Sequence, residues 1–305
     1  LRRNAPAFAS LAVFIVLVFA CSFRYQHFFS LDVFLNLLRD NAFFGIVAIG
    51  MTFVILSGGI DLSVGAIVGL SSILSARLIE QNHWSAFAAM TTTLAIGVAF
   101  GAAMGLVISN FQIPPFLVTL AGMFLARGLA FVISLQSISI GDSLYQRIGS
   151  ERYAQPILFL IILALAWYLL TQRPFGKNVY AFGGSESSAR LLGVPISKTQ
   201  IAVYAISGFC AALGGIAYGF YTTSGNATAG TLMELDAIAA VVIGGTLLSG
   251  GVGSIFGTVV GVLILGIIQT AITFEGTLSS WWTKVVIGVL LLLFVLPQRL
   301  LRKAA

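Results

Sequence analysis

Apolar residues run in blocks of roughly twenty along almost the whole chain, broken by short clusters of charged residues, glycine or proline. A block of that length satisfies its backbone hydrogen bonds internally as a helix crossing about 30 Å of hydrocarbon. The pattern predicts spans over 8–24, 41–57, 60–79, 85–109, 115–135, 156–171, 200–221, 235–249, 253–273 and 281–297. The expected fold is an all-α integral membrane protein of about ten transmembrane helices, one transmembrane domain over 1–305. The eighth block is short and glycine-rich, so it reads either as a tilted crossing or as a broken, partly re-entrant segment.

Two connections are long. The stretch 136–155, with Tyr145 and Tyr153, has room for a short helix, and 172–199 is the longest polar stretch in the chain. Arg2 and Arg3, then Arg173, Lys177, Arg190 and Lys198, then Arg299, Arg302 and Lys303 fall on one side of the predicted membrane. An excess of basic residues marks the cytoplasmic side, which places 172–199 and both termini there and agrees with an even number of spans. The opposite loops mix Arg24, Arg39, Arg77, Arg147, Arg152 and Lys284 with Asp32, Asp40, Glu80, Asp142, Glu151 and Glu275 and are nearly neutral. Trp281 and Trp282 beside Lys284 read as an interface anchor.

Composition narrows the function classes. With 58% hydrophobic and 9% charged residues the chain has no material for a water-facing surface or a soluble catalytic domain. The net charge of +6 is scattered over span ends rather than gathered into a face for nucleic acid. Cys21 and Cys210 sit in separate apolar blocks without metal-ligand spacing and read as packing residues. The first block, after Leu1-Arg2-Arg3, reads as an uncleaved span rather than a secretory signal, since nearly everything after it is also membrane-embedded. Glycines at four-residue spacing, Gly97, Gly101 and Gly105 or Gly253, Gly257 and Gly261, let helix backbones approach closely in lipid and read as intramolecular packing.

Two glycine-rich breaks interrupt the apolar pattern. GGIDLSVG at 58–65 sets a tight turn and a carboxylate between two blocks, where Asp61 or Ser63 can cap the next helix. IGGTLLSGGVGS at 243–254 faintly repeats that arrangement late in the chain. Neither break carries the lysine followed by Ser or Thr of a phosphate-binding loop, so the chain is not expected to hydrolyse ATP itself. Arg127, Glu234 and Asp236 are charges within or at the head of apolar spans, either functional or offset by a counter-charge or a helix end. In the inner loop, Ser185 can cap a short helix, Glu186 suits its positive end and Gly193-Val194-Pro195 stops it. Such an amphipathic helix fits a lipid surface or a partner's groove equally well.

Four blocks in order resemble the permease subunits of bacterial ABC importers for monosaccharides, the ribose, xylose and galactose group. They are GMTFVILSGGIDLSVG at 50–65, IPPFLVTLAGMFLARG at 113–128, AFGGSESSARLLGVPI at 181–196 and LDAIAAVVIGGTLLSGGVGS at 235–254. FEGTLSSWWTK at 274–284 is similar to the galactofuranose-importing branch of that group. The resemblance implies a type II importer-like permease in the bacterial inner membrane, working with a second permease, a separate ATP-binding subunit and a periplasmic sugar-binding protein. ATP and Mg would then sit on the ATPase, with no cofactor on this chain. Coupling to the ATPase falls on Glu186, Ser187, Ser188, Ala189, Arg190, Leu191, Leu192 and Gly193. A neutral sugar needs hydrogen-bonding groups and aromatic faces, and Asn41, Phe44, Thr52, Phe53, Asp61 and Thr246 lie on spans beside the breaks. The competing class is an ion-coupled secondary transporter, for which Asp61 and Asp236 are the coupling carboxylates.

Overall fold

The structure, a computed structural model, describes residues 5–303 apart from 278 and 280. Arg2, Arg3, Leu278 and Ser280, and the side chains of Arg299, Arg302 and Lys303, lie outside what is described. The helices in chain order are α1 (Ala5–Arg24), α2 (Leu31–Asp40), α3 (Ala42–Leu56), α4 (Val64–Glu80), α5 (Ala86–Phe111), α6 (Pro115–Ile133) and α7 (Ser143–Ser150). They continue as α8 (Ala154–Gln172), α9 (Pro174–Gly184), α10 (Glu186–Leu191), α11 (Ile196–Thr222), α12 (Met233–Ile243), α13 (Ile255–Glu275) and α14 (Trp281–Lys303). A two-residue strand β1 (Ile138–Ser139) pairs antiparallel with β2 (Ser224–Gly225).

Among the described residues, five helices are long and apolar enough to cross a membrane: α5, α6, α8, α11 and α13. The pair α2 and α3, bent by 57° at Asn41, makes a sixth if it counts as one span. Of the remaining predicted blocks, 8–24 and 281–297 are helical throughout, within α1 and α14, and the other two are shorter than the hydropathy pattern suggests. The block at 60–79 becomes helical only at Val64, because the glycine break occupies its start, and the eighth block is the 11-residue α12 followed by turns. Eleven residues rise only about 16 Å, half of the hydrocarbon core. Residues 226–232 lead into α12 as irregular chain: β2 adjoins β1 at one end of the bundle, while the C-terminal end of α12 packs on the start of α13 at the other.

α13 runs from one end to the other. Its start, with Gly257 against the Gly244 backbone, shares an end with residues 180–184 and 249–253. Its finish, where Glu275 pairs with Arg24, shares the other end with β1, β2 and α7. At that second end Asp142 caps α7, its Oδ1 accepting from the amides of Leu144 and Tyr145, so the loop 136–155 does hold a short helix. Tyr145 is fully buried there with its ring 4.5 Å from that of Phe220.

α11 is the centre of the packing, with α5, α3 and α4 against it. The spaced glycines of α5 make this possible. A Cβ on Gly101 would strike the Tyr204 carbonyl oxygen, one on Gly97 the Ala212 methyl, and one on Gly105 would stand 2.8 Å from Ile201 Cα. Close backbone contact of this kind supplies association where lipid removes the hydrophobic incentive for helices to meet. Outward faces are correspondingly apolar: Phe87, Phe116, Phe124, Leu160 and Leu165 are exposed, while Ser71, Ser72, Ser75 and Ser207 are buried. Gly101→Val should lower the thermal unfolding midpoint in detergent by the equivalent of the roughly 1–3 kcal/mol typical of overpacking. Gly128→Ala, where nothing lies within 4 Å, should not lower it.

Candidate functional site

The segment following α9 forms the helix its sequence predicts. Ser185 stands at the N-cap in extended conformation, its Oγ accepting from the Ser188 amide at 3.3 Å. Arg190 pairs with Glu186 one turn back at 2.8 Å. The helix stops where Gly193 turns to φ +77°, a conformation that costs glycine little, and the Val194 amide donates to the Ala189 carbonyl. Ala189 anchors α10 by burial, whereas Leu191 and Leu192 are 90% and 80% exposed. Two adjacent leucines held outward by a capped helix, beside a hollow lined by Glu186, Ser187 and Arg190, form an apolar tip with a charged rim.

α9 ties this tip to the body of the protein. Gly183 presses on the Leu56 carbonyl at the end of α3, so closely that a Cβ there would overlap it. The same carbonyl accepts from the Gly251 amide at 2.9 Å. The Tyr180 hydroxyl donates to the Gly253 carbonyl at 3.0 Å, and the Phe175 ring stacks on that of Phe53 at 6.2 Å. A Cβ on Gly250 would lie 2.8 Å from both the Gly58 amide and the Gly183 carbonyl. Three blocks far apart in sequence, 56–59, 180–184 and 249–253, therefore meet backbone to backbone in one junction.

Asp61 is fully buried beside this junction and does not cap α4 in the way its position suggests. Its Oδ1 accepts from the Ser63 amide at 2.9 Å and the Ser63 hydroxyl at 2.6 Å, and its Oδ2 from the Ser207 hydroxyl at 2.7 Å. The carboxylate thus fastens the first break to α11. Ser63 occupies the N-cap position of α4 with no side-chain bond to that helix. Arg127 likewise finds backbone rather than a carboxylate: Nη1 donates to the carbonyls of Ala227 at 2.5 Å and Ala229 at 2.9 Å, and Nη2 to that of Gly65 at 3.2 Å. It holds the irregular segment before α12 against the start of α4. Glu234 is buried at the head of α12, and Asp236 pairs with Lys284 of α14 at 2.5 Å.

The six residues expected along the route separate into two groups. Asn41 and Phe44 line an open cleft. Thr52, Phe53, Asp61 and Thr246 are fully enclosed, Thr52 sharing a 2.8 Å hydrogen bond with Thr258 of α13 and Thr246 having no hydrogen-bond partner for its buried hydroxyl among the described residues. Three of the cleft's other polar residues escaped the sequence reading: the adjacent Gln269 and Thr270, with Thr273, interrupt a largely apolar block and show as a stripe only once placed on a helix.

The family described as "Branched-chain amino acid transport system / permease component" matches residues 33–295, nearly the whole chain. The chain belongs to this permease family. Among curated proteins it is similar to the inner membrane ABC transporter permease protein YjfF of Escherichia coli, 46% identical over 98% of this chain and 93% of that protein. The fructose import permease protein FruG of Bifidobacterium longum is 36% identical over 98% of this chain and 92% of its own length. The ribose import permease protein RbsC of Escherichia coli is 38% identical over 94% and 92%. No solved structure matches the chain. Members of this permease family are transport subunits, and the match takes in all four sequence blocks and the junction that three of them build.

Proposed function

We propose that this chain is one permease subunit of an ATP-driven importer that carries a monosaccharide, galactofuranose in the first instance and otherwise ribose or another pentose or hexose, across a bacterial inner membrane. The observation that carries the reading is the exposed leucine tip of α10 joined through Gly183 to both glycine breaks. A separate ATP-binding subunit grips residues 186–193, ATP and Mg reside on that subunit, and a sugar-binding protein delivers substrate at the opposite face. A second permease, related or identical, completes the route. The chain passes the membrane ten times, with α12 and its irregular approach as the eighth passage, and both termini are cytoplasmic. Nucleotide binding on the partner favours one arrangement of the junction over another, because the two arrangements present α10 differently.

The reading is tested by sugar uptake into vesicles holding this chain, the ATPase and the second permease, with binding protein outside. Wild type should take up sugar only with ATP, and the double variant Glu186→Ala/Leu191→Asp should lose at least nine-tenths of that uptake while the ATPase alone still hydrolyses ATP. Uptake driven by an ion gradient without ATPase would overturn the proposal in favour of a secondary transporter, with the Asp236–Lys284 pair as its charge element.

A further inference from the structure

A cleft of ≈ 680 Å³ opens between α2, α3, α12, α13 and α14, a size within the roughly 300–1,000 Å³ of small-molecule sites. It lies where two helices are interrupted: the 57° bend at Asn41, and the first turn of α12 after the irregular 226–232. Irregular backbone at membrane depth persists only where protein buries it or where it lines a water-filled cavity. Asn41 stabilises the bend itself, its Nδ2 donating to the Leu37 carbonyl at 2.8 Å. Directly opposite stands Gly266, where a Cβ would lie 2.6 Å from that nitrogen.

Gly266 begins the only polar stripe among the cleft residues of α13. Gly266, Gln269, Thr270 and Thr273 fall at i, i+3, i+4 and i+7, one face of a helix whose other positions are almost all apolar. Asn36 and Asn41 face this stripe from α2 and the bend, and the rings of Phe44 and Tyr221 complete the walls. Of the cleft's charges, Asp236 is paired with Lys284, and the Asp40 carboxylate accepts from the neutral Tyr221 hydroxyl, so no two unpaired charges converge there. Carboxamides and hydroxyls each donate and accept, which matches a ligand whose own surface is made of hydroxyls, and an aromatic face suits its C–H side. A lipid tail has no use for such a stripe, and an inorganic ion calls for convergent unpaired charge or a carbonyl cage.

We propose that this cleft is a sugar subsite on this chain's part of the permeation route, with Asn36, Gln269, Thr270 and Thr273 as the groups that exchange hydrogen bonds with the passing sugar. The assignment rests on the importer reading above. Cys21 and Cys210 are both buried and unpaired, so a single cysteine placed in the cleft reports on its own.

The experiment uses the assembled importer in vesicles, with labelled galactofuranose and ribose as probes. Thr270→Trp, which fills the cleft, should cut ATP-driven uptake more than tenfold, while Thr91→Trp on the exposed face of α5 should not. Thr270→Cys should transport, react with a charged membrane-impermeant thiol reagent, and lose transport on reaction, with high sugar slowing the labelling. If Thr270→Trp fails to assemble, the smaller cysteine variant decides on assembled complex alone. Wild-type rates from the reacted Thr270→Cys, or labelling that sugar leaves unchanged, overturn the subsite and leave the importer reading standing. Wild type without ATP-driven uptake overturns both.

Discussion

Gly183→Val should abolish coupled sugar uptake while Gly184→Ala, one residue away, leaves it intact. A side chain at 183 would occupy the space of the Leu56 carbonyl and stand 2.7 Å from the Gly251 amide, the two groups that bond each other at 2.9 Å across the junction. At 184 nothing lies within 4 Å. Backbone cannot yield as a flexible side chain can, so the valine must part α9 from α3, the 249–253 turn, or both. Under the proposed function this uncouples α10 from the membrane segments. Uptake should fall at least tenfold, and ATP hydrolysis should persist but no longer respond to the loaded binding protein. The two rates, measured on the same vesicles after size-exclusion confirms an intact complex, check this. A Gly183→Val complex that transports at the wild-type rate removes the junction from the coupling path.

Leu191→Asp/Leu192→Asp should weaken binding of the ATP-binding subunit by about 100- to 10,000-fold. Fully burying one leucine stabilises by roughly 1.5–3 kcal/mol, so two contribute about 3–6 kcal/mol, and each 1.4 kcal/mol is tenfold. Both side chains start almost wholly exposed, which leaves that burial to be realised in the complex. The folded chain should be unaffected, since neither side chain is packed within it. Titration of the ATPase against the permease in nanodiscs gives the affinity, and an unchanged value in the variant means the ATPase docks elsewhere. Breaking the exposed Glu186–Arg190 pair should matter far less, a few tenths of a kcal/mol in helix stability.

What was legible in the sequence depended on how local the cause is. α10 was readable because its cap, its first-turn carboxylate and its glycine stop lie within a dozen residues and act on one another. The packing role of the α5 glycines was also readable, since four-residue spacing alone defines a helix face. α2 was missed because Asp32, Asn36, Arg39 and Asp40 resemble a polar loop, yet they fall on one side of an amphipathic helix of nearly three turns that only the neighbouring helices make sense of. The true length of α12 was hidden because hydropathy scores composition and does not register that 226–232 runs irregularly. The junction could not be read at all: its three blocks each show glycine, but nothing local states that Gly183 meets Leu56. Asp61 is the same case, its partner Ser207 lying 146 positions away.

The fastening of Arg127 has a consequence for how the protein is made. A guanidinium inside an apolar helix costs about 2.5–3.5 kcal/mol on insertion into a bilayer. The carbonyls that relieve it on Ala227 and Ala229 are synthesised 100 and 102 residues later. At ribosomal speeds of about 5–20 residues per second, α6 therefore waits on the order of 5–20 s before its main partners exist. During that interval only one of the three carbonyls that receive Arg127, that of Gly65, is already present. The insertion machinery must retain α6, or early neighbours must shield it, until the second half of the chain arrives to lock the first in place.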